Sequence, residues 1–491
     1  MTIERTDRAR EKGMALVYVG IFLVPLLLCT GLAVDLGRGY LVRATLAKAV
    51  DAAALAAANN ITGDDPSQAE RVADNIFDVN FPPGFLGVTP SRPILNTTIG
   101  PNGSHVIDVK SDATLPTTFM RLASFDSLTV RANAQATRRL VDMSFVIDRS
   151  GSLTGAFSQV VAAASDFVGS FDRDSDRIAL ITFSSGTTVM DQMRSTRGFD
   201  MDQIKTDINS MKTPGGATAT AEALYQAWDQ LRTVPPESRN GLRIVVLFTD
   251  GSPNSFPSQF QVMSPVKNGC NSTPWPGLRK GTFTTWDYPY VGNSSTKEAP
   301  WDLGLYPTNS PSVIDSVYPT NWIYYVSPRS TDKLLPNPCI PKLPPLSYHE
   351  LHKSANIPLA FKLYDPALHS QRLIDKNADG SIPSHVQNAN NAARNLAEII
   401  ANAIRNDTDG SDKRTIRIYT LGLGDLLYAG MGSKPETGAS ILERIANDPA
   451  SPDPDDHNPA QLDGKFFYAG DPSELKAAFQ TLRDQIVRLT Q

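Results

Sequence analysis

The sequence predicts an α/β protein built on a doubly wound, mainly parallel sheet, with further segments before and inside it. Short apolar runs typical of buried parallel strands alternate with amphipathic helical patterns across residues 140–491. An uncharged run near the N-terminus is long enough for a transmembrane helix. The chain of 491 residues also exceeds one ordinary domain of about 100 to 200 residues, so additional modules are expected.

Composition limits the classes of function. With 41% hydrophobic residues, 20% charged residues and a net charge of -5, the chain is an ordinary globular sequence. Basic residues form no stripe beyond the N-terminus, and no basic and aromatic pattern suited to stacking bases is present, which argues against a nucleic-acid partner. The cysteines, Cys29, Cys270 and Cys339, are too few and too widely spaced for a zinc site or a CxxC motif. Cys270 and Cys339 share a loop-rich region and could form a disulfide if that region is extracytoplasmic.

Residues 14–34, MALVYVGIFLVPLLLCTGLAV, contain no charged side chain and predict a transmembrane helix. At about 1.5 Å of rise per residue they can cross a hydrocarbon core of about 30 Å. The alternative, a cleaved signal peptide, has a shorter apolar core followed by a small-residue cleavage site. Basic residues within residues 1–13 favour a cytoplasmic N-terminus and a translocated body.

The segment that follows, VDLGRGYLVRATLAKAVDAAALAAA at residues 34–58, continues the helical pattern. Together with the apolar run it resembles the N-terminal segment of the TadE/TadG-like family, which is associated with assembly of Flp-type (tight adherence) pili. The resemblance implies a bacterial inner-membrane protein with a periplasmic body, a helical stalk at residues 35–80, and pilus-assembly components as partners. Cleaved members carry a glutamate five residues after the processing glycine, whereas here Gly13 is followed at that distance by Tyr18. The chain therefore looks like the uncleaved, TadG-like members.

Residues 81–139 have a different pattern. Turn residues separate short alternating runs at residues 105–109 and 128–132, which are typical of strands. The pattern predicts a small β-rich spacer between the stalk and the body.

Oxygen-bearing side chains follow the predicted strands of the body. The candidate metal ligands are Asp148, Ser150, Ser152, Thr218 and Asp250. The first three come directly after the apolar run 141–147, the fourth ends a glycine-rich loop, and the last follows the apolar run 243–248. Because the carboxyl ends of parallel strands meet at one edge of a sheet, we expect these side chains to lie close together. Carboxylate and hydroxyl oxygens suit Mg²⁺, Mn²⁺ or Ca²⁺.

These three loops resemble the metal-ion-dependent adhesion site of the von Willebrand factor type A family. Asp148, Ser150 and Ser152 match its first loop, Thr218 its second and Asp250 its third. The resemblance implies a von Willebrand factor type A-like sheet in residues 140–491, with a divalent cation as cofactor. It also implies a protein partner that completes the coordination of the ion with an acidic side chain.

A long insertion at about residues 252–385 interrupts this domain and contains Trp275, Trp286, Trp301 and Trp322. Two interpretations stay open: an aromatic recognition surface, or a partly ordered elaboration with a small core of its own. Within it, Asp375, Asn377 and Asp379 reproduce the first half of an EF-hand calcium loop and could bind a second ion. Val386 replaces the closing glutamate, which favours a solvated polar turn.

The leading functional prediction is a membrane-anchored, non-enzymatic binding component of Flp-type pilus assembly or of surface adhesion. The first alternative is an envelope scaffold in which the ion is only structural. The second is a metal-dependent hydrolase with Ser150 as nucleophile. Because no histidine or lysine lies near these motifs in sequence to act as a general base, we expect no catalytic residue.

Overall fold

The computed structural model describes residues 4–61, 66–99, 104–211, 215–262, 277–288, 299–308, 324–326, 357, 361–374, 385–408, 415–430 and 436–490. The chain divides into two compact units, residues 1–139 and 140–490.

The first unit combines long helices with a small sheet. Its elements are α1 (Glu4–Asn60), α2 (Ser67–Asn80), β1 (Ile94–Ile99), β2 (His105–Pro116) and β3 (Ser127–Arg138). The strands form an antiparallel sheet in the order β1-β2-β3. Alanines and branched side chains on one face of α1, such as Val42, Leu46 and Ala53, share a core with Phe77 of α2 and Val109 of β2.

Helix α1 continues without interruption through Pro25. Its segment Tyr18–Ala58 is long and apolar enough to cross a membrane, and only 12% of its most apolar window is buried. Because the core helix of a soluble domain would be mostly buried, this exposure favours membrane anchoring.

The second unit contains the larger sheets. Its strands are β4 (Val141–Asp148), β5 (Arg177–Phe183), β6 (Thr187–Asp191), β7 (Leu242–Thr249), β8 (Ser255–Val262), β9 (Gly277–Tyr288), β10 (Ala299–Thr308), β11 (Tyr324–Val326), β12 (Ile416–Leu423) and β13 (Lys465–Ala469). Its helices are α3 (Phe157–Val168), α4 (Met201–Asn209), α5 (Thr220–Thr233), α6 (His385–Arg405), α7 (Gly438–Ala446) and α8 (Leu475–Thr490).

The main sheet has the order β13-β12-β7-β4-β5-β6. All neighbouring strands are parallel except β6, which is antiparallel to β5. Side chains of β4 alternate between two cores: Val146 packs with α5, α6 and α7 on one face, whereas Phe145 packs with α3, α4 and α8 on the other. The predicted doubly wound, mainly parallel sheet is confirmed.

The insertion contains a second sheet. Strands β8 to β11 pair antiparallel in the order β11-β10-β9-β8. The sequence pattern predicts no strand there, because the proline and glycine residues that divide the segment obscure the alternation on which strand prediction depends. Trp286 and Trp301 lie in β9 and β10. Several predicted features fall outside the described residues: Trp275, Trp322, the Cys270 and Cys339 pair, and the possible second ion site at Asp375, Asn377 and Asp379.

Candidate metal centre

The first loop begins where β4 ends. Asp148 is completely buried, and its Oδ1 accepts a hydrogen bond from the backbone N–H of Ser150 at 2.7 Å. Its Oδ2 accepts a hydrogen bond from the hydroxyl of Thr249, at the end of β7, at 2.5 Å. The neighbouring strand therefore fixes the orientation of this carboxylate. A single turn of 3-10 helix, Gly151–Gly155, follows and carries Ser152.

The second loop is hydrogen-bonded directly to the first. The backbone N–H of Gly215 donates to the carbonyl of Arg149, and that of Gly151 donates to the carbonyl of Gly216, both at 3.1 Å. Gly216 has a φ of +87°, in the left-handed region, and a Cβ there would lie 2.7 Å from the hydroxyl of Ser185. Only glycine suits both the backbone conformation and the space at this position.

Thr218, at the exit of the second loop, is buried and tied to the third loop. Its backbone N–H donates to the side-chain oxygen of Asn254 at 2.7 Å, and the N–H of Asn254 donates to its carbonyl at 3.1 Å. A Cβ built at Gly251 would lie 3.5 Å from the Thr218 hydroxyl, so that hydroxyl faces the loop that carries Asp250.

The third loop follows β7 and places Asp250 against the first loop. The hydroxyl of Ser152 donates to Asp250 Oδ1 at 2.8 Å and lies 3.3 Å from the hydroxyl of Ser150. The structure thus brings the predicted ligands from the three loops together at one edge of the sheet. β4 and β7 are adjacent strands, and the chain leaves them toward opposite ends of the sheet, toward β5 and toward β12. A crevice for ligands forms at such a switch point in open α/β sheets.

Burial has a large electrostatic effect on the two carboxylates. It raises the pKa of Asp148 to about 6, although hydrogen bonds from Thr249 and Ser150 act in the opposite direction. Burial and the nearby Asp148 carboxylate together raise the pKa of Asp250 to about 8. Two buried carboxylates that repel each other, accompanied by neutral hydroxyls, are a donor set that fits a divalent cation with a preference for oxygen ligands.

A different kind of metal site has less support. Throughout the part of the chain that the structure describes, no group of three or more His, Cys, Asp or Glu side chains could hold a metal ion. The candidate centre contributes two carboxylates and three hydroxyls, which is a hard-ligand set suited to Mg²⁺, Mn²⁺ or Ca²⁺.

Sequence reasoning missed two residues that orient the centre. Thr249 holds Asp148, and Asn254 holds the backbone of Thr218. Thr249 offered a signal, because it is the one hydroxyl residue at the end of the apolar run Leu242–Thr249. Asn254 offered none, because an asparagine shortly after a strand is ordinary in turns.

Two protein families match separate parts of the chain. The von Willebrand factor type A domain matches residues 142–268, which contain all three loops. The Flp pilus-assembly TadE/G-like family matches residues 13–60, at the N-terminal helix. No curated protein matches the chain.

Solved structures with similar folds include two pilus proteins and one parasite protein. The vWF domain of the type V pili tip protein Mfa5 from Porphyromonas gingivalis is 19% identical with a TM-score of 0.36, over 72% of this chain and 98% of that one. The pilus adhesin SpaC from Lactobacillus rhamnosus GG is 14% identical with a TM-score of 0.34, over 82% of this chain and 34% of that one. Manganese-loaded TRAP from Plasmodium vivax is 26% identical with a TM-score of 0.21, over 23% of this chain and 48% of that one.

The chain spans less than half the length of SpaC and of TRAP. The family matches and the strand order agree on the architecture. This chain therefore joins a TadE/G-like Flp pilus-assembly segment at residues 13–60 to a von Willebrand factor type A domain that includes residues 142–268.

Proposed function

We propose that residues 140–491 bind a protein partner through a divalent cation, and that the chain works in Flp-type pilus assembly or surface adhesion. The supporting observation is the convergence of oxygen donors from three loops at the carboxyl edge of the sheet, with the pKa of Asp148 and that of Asp250 both raised. The function is binding, not catalysis.

The proposed ligands of the ion are Asp148, Ser150, Ser152, Thr218 and Asp250. When bound, Mg²⁺, Mn²⁺ or Ca²⁺ supplies a positive centre that takes an acidic side chain of the partner as a further oxygen ligand. The residues of this chain hold the donors in place: Thr249 orients Asp148, and Ser152 orients Asp250. Gly216 allows the second loop to approach the first.

The proposed topology follows from the N-terminal sequence. Residues 1–13 are cytoplasmic, residues 14–34 cross the bacterial inner membrane, and the helical stalk at residues 35–80 begins on the periplasmic side. A β-rich spacer at residues 81–139 and the binding domain with its insertion at residues 252–385 follow there. The basic residues before the span and the TadE/G-like match support this arrangement.

Calorimetric titration of the full chain in detergent with Mg²⁺ and with Mn²⁺ tests the metal site. Asp148→Ala and Asp250→Ala should abolish the binding heat, because each removes one of two carboxylate ligands. Asp166→Ala is the matched control, since Asp166 is an exposed carboxylate of α3 that pairs with Lys476. Equal heats for wild type and both site variants would end the proposal.

Capture of envelope proteins on the immobilised full chain, with and without a chelator, tests the partner. We expect capture that depends on the metal and is lost in Asp148→Ala. If the ion only braces the loops, the same variant lowers thermal stability and leaves capture unchanged. Hydrolysis that depends on Ser150 and survives removal of the metal would instead favour the enzymatic alternative.

A further inference from the structure

The loop between β2 and β3, residues 117–126, carries large apolar side chains on its surface. Phe119 is 38% exposed, Leu122 77% and Phe125 60%. Such a concentration of exposed apolar area in one loop marks a contact surface. We call this segment loop 117–126.

Loop 117–126 packs against α1 at the level of the predicted transmembrane segment. A Cβ built at Gly31 would overlap the side chain of Phe119, so the phenylalanine lies directly on the backbone of the helix. Gly31 is three residues inside the end of the apolar run 14–34, or about 4.5 Å along the helix axis. The loop therefore reaches the depth at which α1 is still apolar.

The contact is fixed by a buried carboxylate one turn further along the helix. Asp35 is completely buried, and its Oδ2 accepts hydrogen bonds from the backbone N–H groups of Phe119 and Met120, both at 2.8 Å. Its Oδ1 accepts a third, from the N–H of Thr118, at 3.0 Å. Arg38 adds a hydrogen bond to the hydroxyl of Thr118 at 2.9 Å. Loop 117–126 and α1 are thus held in one arrangement.

The backbone of loop 117–126 is also well satisfied from within the protein. Besides the N–H groups bound by Asp35, those of Leu122, Ser124 and Phe125 donate to carbonyls of the same loop at 3.0 to 3.1 Å. Non-helical backbone near a hydrocarbon layer needs partners of this kind, because lipid offers none. The charged residues Arg121 and Asp126 are highly exposed and flank the apolar side chains, as expected of residues that extend toward headgroups.

We propose that loop 117–126 inserts Leu122 and Phe125 into the boundary between headgroups and acyl chains of the bilayer that α1 crosses. The occupant of this surface is lipid, because the apolar side chains continue the exposed apolar face of α1 formed by Leu28 and Leu32. The inference rests on the proposed membrane span. It gives the chain a second membrane contact beside its helix, which positions the β-rich module relative to the membrane surface.

Depth-dependent quenching tests the proposal. A small environment-sensitive fluorescent amino acid is incorporated singly at Leu122, Leu26 or Asn96 of the full chain, which keeps its cysteines. Each protein is reconstituted in phosphatidylethanolamine and phosphatidylglycerol vesicles with bromines near the headgroup end or near the terminal end of the acyl chains. Leu26 lies exposed in the middle of the apolar run and reports on the span itself.

Asn96 is the control on the β-rich module. It is exposed on β1 and pairs with Asp108, which precedes Pro116 at the end of β2 by about 26 Å of strand. We expect strong quenching of the Leu122 probe by the shallow bromines and of the Leu26 probe by the deep bromines, with no quenching of the Asn96 probe.

The other outcomes separate this inference from the proposed span. Quenching at Leu26 without quenching at Leu122 would overturn the loop contact and leave the span intact. A blue-shifted Leu122 probe that lipid bromines do not quench would show that protein, such as a second copy of the chain, covers the loop, and would also overturn it. If neither Leu26 nor Leu122 is quenched, the span and the loop contact both fail.

Discussion

At the scale of single residues, the candidate centre is dominated by the repulsion between two buried carboxylates. The pKa of Asp250 is raised to about 8, by burial and then by Asp148. Asp250 in the metal-free fold thus holds a proton that the unfolded chain releases near its ordinary pKa of 3.8. Its contribution to stability is present below about pH 4 and is lost as the pH rises through about 8. A divalent cation would offset this loss by neutralising the carboxylates.

Asp250→Asn should therefore have opposite effects with and without metal. In chelator at pH 8 to 9 the variant should be more stable than wild type by on the order of 1–3 kcal/mol, the usual cost of a poorly compensated buried polar group. With saturating Mg²⁺ that advantage should disappear, because the variant binds no ion. Thermal unfolding against pH measures both effects, with Asp166→Asn as the control. A variant less stable than wild type in chelator would contradict the electrostatic reading.

Thr249 gives a second prediction at this scale. Thr249→Val removes the hydroxyl that donates to Asp148 while keeping the shape of the side chain. Loss of a residue that orients a metal ligand lowers metal affinity about 10- to 100-fold. Calorimetry should show this loss for Thr249→Val and near wild-type affinity for Thr249→Ser, which keeps the hydroxyl. Equal affinities for the two variants would mean that the hydrogen bond has no role in binding.

At the scale of elements, a buried ion cluster joins α6 to α7 and to the segment before α6. Glu398 of α6 accepts hydrogen bonds from Arg372 at 2.9 Å and from Arg444 of α7 at 2.8 Å. Glu436 accepts from the same two arginines. Burial alone would raise the pKa of Glu398, but the two guanidinium groups together lower it to about 2. The cluster fixes the helices that return the chain from the insertion to the main sheet.

Glu398→Gln should destabilise the second unit by about 3–5 kcal/mol at pH 7, because it leaves buried guanidinium charge without its partner. The folded pKa of Glu398 is below its ordinary value of 4.5, so its contribution is present above that pH and is lost as the pH falls toward 2. The difference between variant and wild type should shrink over the same window. Denaturant unfolding at several pH values measures it, and the exposed Glu237→Gln serves as control. A difference that does not change with pH would contradict the assigned cause.

At the scale of the whole molecule, the two units have separate hydrophobic cores. One core contains only residues before position 140, and the two cores around the main sheet contain only residues after it. The proposed metal ligands all belong to the second unit. Each unit therefore has the contacts that it needs to fold as a cooperative block.

Metal should accordingly stabilise one unit and not the other. Differential scanning calorimetry of the full chain in detergent should resolve a transition that Mg²⁺ raises and a second that it leaves in place. A fragment of residues 140–491 should show the metal-sensitive transition alone, at the same temperature. A shift of both transitions by Mg²⁺, or a fragment that does not fold, would show that the units depend on each other.

The sequence by itself determined the fold class and the positions of the strands that carry the candidate ligands. The predicted runs 141–147 and 243–248 agree with β4 and β7 to within one residue, because buried parallel strands are continuously apolar and end where polar loops begin. The identity of the candidate ligands followed from the same rule, since parallel strands place their carboxyl ends at one edge. That these residues bind an ion stays a prediction.

Only the tertiary structure decided which residues support those elements. Asp35 meets the backbone of Met120 across 85 positions, and Thr249 meets Asp148 across 101. The ion cluster around Glu398 joins residues of three segments, and the strands of the insertion pair without an alternating pattern. Such contacts depend on how distant segments fold together. Local periodicity reports burial along one element, and it carries no information about which distant side chain will lie opposite.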